Sequence, residues 1–116
     1  MKGATTMKLI TKEIEKKIAK YPIYSQDGKG DNAVVICKFF PPWGGFSFYP
    51  IEGNKLENGD IEFFGLVTNC GEAELGYFTL SQLTSLKDPY GWGLKVERDL
   101  YFSGTIADAK KDARVA

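Results

Sequence analysis

Asp60-Ile61-Glu62-Phe63-Phe64-Gly65-Leu66-Val67-Thr68-Asn69-Cys70-Gly71-Glu72-Ala73-Glu74-Leu75-Gly76-Tyr77-Phe78 reads as two strands and a reversal. Aromatic and β-branched residues fill 60–68, and a shorter run of the same kind covers 74–78. Asn69-Cys70-Gly71 between them has the residue types that a tight turn needs. So short a connection makes the pair antiparallel, because a parallel return requires a long crossover. Working toward the N-terminus, a strand over 46–51 precedes the loop Glu52-Gly-Asn-Lys-Leu-Glu-Asn-Gly59, which carries two turn signals. Before it, residues 33–40 (Ala-Val-Val-Ile-Cys-Lys-Phe-Phe) make the strongest strand pattern in the chain. Strands following one another at this spacing favour an antiparallel meander.

The flanks supply helices. Residues 11–20 predict one, with Thr11 as N-cap, Glu13 and Glu15 near its positive end, and Lys16, Lys17 and Lys20 near the other. Ile14 and Ile18 give it a narrow apolar stripe, and Tyr21-Pro22 stops it. Residues 25–32 are a polar loop. After the second quoted strand, Thr79 and Gln82 match a capping box, and Phe78 with Leu83 match a hydrophobic staple, so a short helix begins at Thr79. Asp88-Pro89-Tyr90-Gly91 is a turn, and 92–102 reads as a fifth strand. The expectation is an α+β domain: a four- to five-stranded, mostly antiparallel sheet, an N-terminal helix, and a short helix before the last strand. Residues 1–8 read as a flexible lead-in, 9–102 as the single domain, and 103–116 as a dispensable tail, either a frayed helix or disordered.

Composition narrows the chemistry. The chain has 116 residues, and halves of it would be too small for self-sufficient cores. Fifteen Lys and Arg balance fifteen Asp and Glu, which argues against non-specific nucleic-acid binding and against imitation of DNA by rows of carboxylates. No histidine is present, which removes His-based acid–base work, Ser–His and Cys–His nucleophiles, and most zinc and iron sites. Asp27, Asp31, Glu72 and Glu74 have no metal-loop spacing, and Gly28-Lys29-Gly30 lacks the phosphate-loop pattern. Catalytic, metal and cofactor residues are therefore expected to be absent, and the chain is read as no enzyme. Cys37 reads as a buried structural thiol and Cys70 as exposed in a turn. Residues 1–10 lack the apolar block of a secretory signal, and no apolar run reaches membrane-spanning length. The expected setting is the cytoplasm, without membrane contact.

Aromatic residues offer the remaining signal. Pro41-Pro42-Trp43-Gly44-Gly45 sets Trp43 at a loop tip, and alternation puts Phe46 and Phe48 on one face, Ser47 and Tyr49 on the other. Trp43 either projects as an interface anchor or folds back to cap the sheet. Trp43, Phe48, Tyr49, Tyr90 and Trp92 are candidate contact residues, and Trp43, Tyr49, Tyr90 and Trp92 form a single patch if the fifth strand lies near the first hairpin. Arg98 shares its strand parity with Leu94, Val96, Leu100 and Phe102, so it faces the apolar side and needs a partner, with Glu62 and Glu74 as candidates, or else it anchors a phosphate or a partner carboxylate.

The blocks Leu9-Ile10-Thr11-Lys12-Glu13, Ala33-Val-Val-Ile-Cys-Lys-Phe-Phe40 with Pro42-Trp43-Gly44, Phe63-Phe64-Gly65-Leu66-Val67, Glu74-Leu75-Gly76-Tyr77-Phe78 and Val96-Glu97-Arg98-Asp99-Leu100-Tyr101-Phe102 together resemble a bacterial family classed as domain of unknown function 2958. The resemblance spans about residues 9–102. It carries no catalytic motif. It implies a mobile genetic element such as a plasmid or phage, often beside antirestriction genes. The implied role is a non-enzymatic protein-binding module that inhibits a host defence nuclease, of the anti-CRISPR or antirestriction type, by steric or allosteric blocking. The partner would be a host or element protein, and the chain a monomer or homodimer. The alternative is an accessory nucleic-acid-binding domain in element transfer that stacks unpaired bases on exposed aromatics.

Overall fold

The computed structural model describes residues 8–115; all but Lys8 of the lead-in expected over 1–8 lies outside them. Helix α1 (Lys12–Lys20) is followed by a short 3-10 turn at Gly30–Asn32, then strands β1 (Phe39–Phe40), β2 (Phe46–Lys55), β3 (Ile61–Asn69) and β4 (Glu72–Thr79), helix α2 (Leu80–Ser85), strand β5 (Glu97–Arg98) and helix α3 (Ile106–Asp112). The five strands form one sheet in the order β4-β3-β2-β1-β5. Every pairing in it is antiparallel. The α+β architecture expected from the sequence is the one that forms.

The helix starts obey their caps. The Thr11 hydroxyl accepts the Ile14 N–H, and Thr79 and Gln82 complete a reciprocal capping box. The quoted hairpin turns through Cys70 and Gly71, both at positive φ (51° and 90°), and the strand resumes at once with Glu72.

The sheet is covered on both sides. One core joins Ile14 and Ile18 of α1 and Leu83 of α2 to Phe39, Phe63 and Phe78. The other joins Ile106 and Ala109 of α3 to Tyr49, Ile51 and Leu66. The alternation Phe48/Tyr49 and Phe63/Phe64 assigns neighbours to opposite cores. Between Pro50 and Glu52 the β2–β3 register shifts, so that Tyr49 pairs with Leu66 and Glu52 with Phe64. Ile51 is the extra residue, and beyond it the strand's faces are exchanged.

Three expectations are corrected. The strand expected over 33–40 is reduced to Phe39–Phe40 plus an isolated bridge from Val34 to Thr105. Its alternation breaks, since Val35 packs in the second core while both Ile36 and Cys37 pack in the first. The strand expected over 92–102 is reduced to Glu97–Arg98. Asp99 ends it by accepting the N–H groups of Tyr101 and Phe102, so Val96 and Phe102 reach opposite cores. The segment read as a dispensable tail contains α3, which opens on a second capping box, Thr105 with Asp108, and buries Ile106 and Ala109. The packed body therefore continues past residue 102.

Candidate functional site

Tyr90 and Trp92 stand 61% and 67% exposed on the loop between α2 and β5. Their rings stack on one another, with centroids 4.6 Å apart and planes at 27°. The loop beneath them is organised by a single buried carboxylate. Asp88 accepts the backbone N–H of Tyr90 (3.0 Å) and Trp92 (2.8 Å) on Oδ1 and that of Leu94 (2.8 Å) on Oδ2. Gly91 and Gly93, at φ 75° and 74°, supply the left-handed turns that aim these N–H groups inward. The N–H of Trp92, helped by those of Leu94, Tyr90 and Gly93, holds the Asp88 carboxyl below its ordinary range. Two large aromatic faces are thus held outward on an ordered loop, which lowers the entropy cost of docking them.

The other candidates divide differently. Trp43 folds back and packs, half-buried, against the first core, so the capping arrangement is the one adopted. Phe48 packs with it and lies 5.2 Å from the Phe78 ring. Tyr49 is fully buried, so its side chain does not join Trp43, Tyr90 and Trp92 in a surface patch. Arg98 is half-buried and donates from Nη1 to the backbone carbonyls of Lys8 and Leu9, fastening the segment before α1 to β5.

The structure also joins residues that sequence reasoning left apart. The Tyr49 hydroxyl and the Lys38 ammonium both donate to Asp112 Oδ2, each at 2.7 Å, and Lys38 lies 4.0 Å from Asp99. Burial, reinforced by Asp112, pushes the Tyr49 phenol well above its ordinary range. This cluster ties α3 to the sheet. Cys37 is buried, with burial pushing its thiol up to about 12, whereas Cys70 is exposed. Asp31 pairs with Lys110 at 2.8 Å. Among the described residues no three His, Cys, Asp or Glu side chains converge as metal ligands. No described helix is long and apolar enough to cross a membrane.

The turn at Asp88 is legible in the sequence, whereas its role as acceptor for three loop amides is not assigned there. The signal was present: an Asp before proline, with Gly91 and Gly93 two residues apart after it, is the pattern of a loop wrapped around a carboxylate. No curated protein and no solved structure matches the chain. Residues 9–111 match the family described as "Protein of unknown function (DUF2958)", and the chain belongs to that family.

Proposed function

We propose that this chain is a non-enzymatic binding module that docks on a protein partner through the Tyr90–Trp92 pair. The observation that carries the reading is the exposed, mutually stacked pair on a loop fixed by Asp88. Trp and Tyr are the side chains that most often anchor interfaces, and fixing them beforehand reduces what binding must order. In the mobile-element setting implied by the family resemblance, the partner is a host defence nuclease, blocked sterically or allosterically. The test pairs purified candidate nucleases with the wild-type chain, Trp92→Ala and the double variant Tyr90→Ala/Trp92→Ala. The wild type should bind and reduce cleavage, and Trp92→Ala should weaken binding about tenfold or more with the melting temperature unchanged. Binding that survives the double variant at full strength refutes the docking surface, and a failure of every nuclease to bind refutes the counter-defence role.

A second reading has one observation in its favour. Lys87 and Lys95 are exposed and flank the aromatic pair in sequence, an arrangement suited to single-stranded nucleic acid. Oligonucleotide affinity that falls steeply with salt would select it over the first reading.

A further inference from the structure

On the face of the sheet that carries α3, a cleft of about 190 Å³ opens between the loop after α1 and strand β4. Its volume is below the roughly 300–1,000 Å³ of pockets for drug-sized ligands, so it suits a single head group. Three aromatic rings line it: Tyr24, Phe64 and Tyr77. Phe64 and Tyr77 are cross-strand neighbours with ring centroids 4.8 Å apart, and Leu75 extends the same wall. Tyr24 is presented from a left-handed backbone (φ 76°) and is 73% exposed.

Beside these rings lies a carboxylate with no cationic partner among the described residues. Glu52 is 3% exposed. Its Oε1 accepts the Tyr24 N–H at 2.9 Å and its Oε2 the Gln26 N–H at 2.8 Å. Among the described residues no Lys or Arg comes within ion-pair distance of it. The register shift in β2 sets Glu52 opposite Phe64 on this face. Asp27 also lines the cleft, and no basic residue does. Buried charges are ordinarily compensated, and ring faces are the negative side of an aromatic quadrupole. Two neutral N–H donors compensate Glu52 only in part, and Asp27 adds a second carboxylate to the lining.

We propose that this cleft binds an alkyl-substituted ammonium group, its methyl shell against Tyr24, Phe64 and Tyr77 and its charge neutralising Glu52. The rings supply shape and cation–π attraction, and the carboxylates add to the preference for charge over an equally shaped neutral group.

The experiment titrates the full-length chain with choline and, in parallel, with its neutral isostere 3,3-dimethylbutanol, following backbone amide chemical shifts. Choline should shift the amides of Tyr24, Leu75 and Tyr77, and the neutral isostere should bind about tenfold more weakly. Tyr77→Ala, at a half-exposed position, should weaken choline about tenfold while the fold is kept. Glu52→Gln should narrow the gap between the two ligands, with the remainder left by the rings and Asp27. A trimethyllysine peptide in a parallel arm distinguishes a head group carried on protein from a free one. Absence of shifts with both choline and the peptide overturns the proposal, as does equal binding of choline and its isostere to the wild type. Undiminished choline binding by Tyr77→Ala overturns it as well, and because that variant is expected to fold, the test stands even if Glu52→Gln does not.

Discussion

Asp88 does with one carboxylate what a longer loop would need several contacts to do. Replacing it with Asn removes the charge and one of its two acceptor oxygens, so the amides of Tyr90, Trp92 and Leu94 cannot all keep their acceptor. Hydrogen exchange at those amides in Asp88→Asn should accelerate about tenfold or more, while amides of β3 keep their protection. Acid should act in the same way. The folded carboxyl lies below its ordinary 3.8, so its contribution is complete above that value and disappears as the pH falls through the lowered one. With Trp43→Phe leaving Trp92 as the only indole of the original two, emission should move on acidification only in that range. Gly65 is a residue of the opposite kind, whose importance is the absence of a side chain. A Cβ there would collide with the Tyr49 carbonyl and the Pro50 backbone where β2 shifts register. Gly65→Ala should therefore cost about 3 kcal/mol or more in chemical denaturation, the scale of a strained overpacked core.

Helix α3 is the element whose loss the structure makes costly. Ile106 is 3% exposed, and Ile106→Ala should lower unfolding free energy by about 2–5 kcal/mol, measured by urea titration. Tyr49→Phe removes one hydrogen bond to Asp112 and should cost about 1 kcal/mol. Burial would raise the Asp112 carboxyl, but hydrogen bonds from Lys38 and Tyr49 outweigh it and bring the group below its ordinary value, so acid should also loosen this helix. These attachments show which parts of the molecule were legible beforehand. Local rules sufficed for α1, α2 and the β3–β4 hairpin, because Thr11, Thr79, Gln82 and the Cys70-Gly71 turn act over three or four residues. The bulge at Ile51 and the break between Val35 and Cys37 were not legible, because each is set by what packs on the two faces of the sheet. Helix α3 was read as a tail because its apolar stripe consists of one isoleucine and small alanines, which become informative only against Tyr49 and Leu66. Of the contact candidates, Tyr90 and Trp92 were visible through the glycines around them, whereas the burial of Tyr49 depended on that same helix.

Across the whole molecule, charge and exposure act separately. The formal charge is zero, and the exposed aromatic pair lies outside both cores. Affinity for a protein partner held by Tyr90 and Trp92 should stay within about threefold as salt rises through the physiological range, checked by calorimetry, because apolar anchors are not screened. The sheet's second face closes only with α3, which follows every strand in chain order. On the ribosome, Tyr49, Ile51 and Leu66 therefore emerge well ahead of their cover, and a nascent chain paused before residue 106 presents a wet apolar surface to chaperones and proteases.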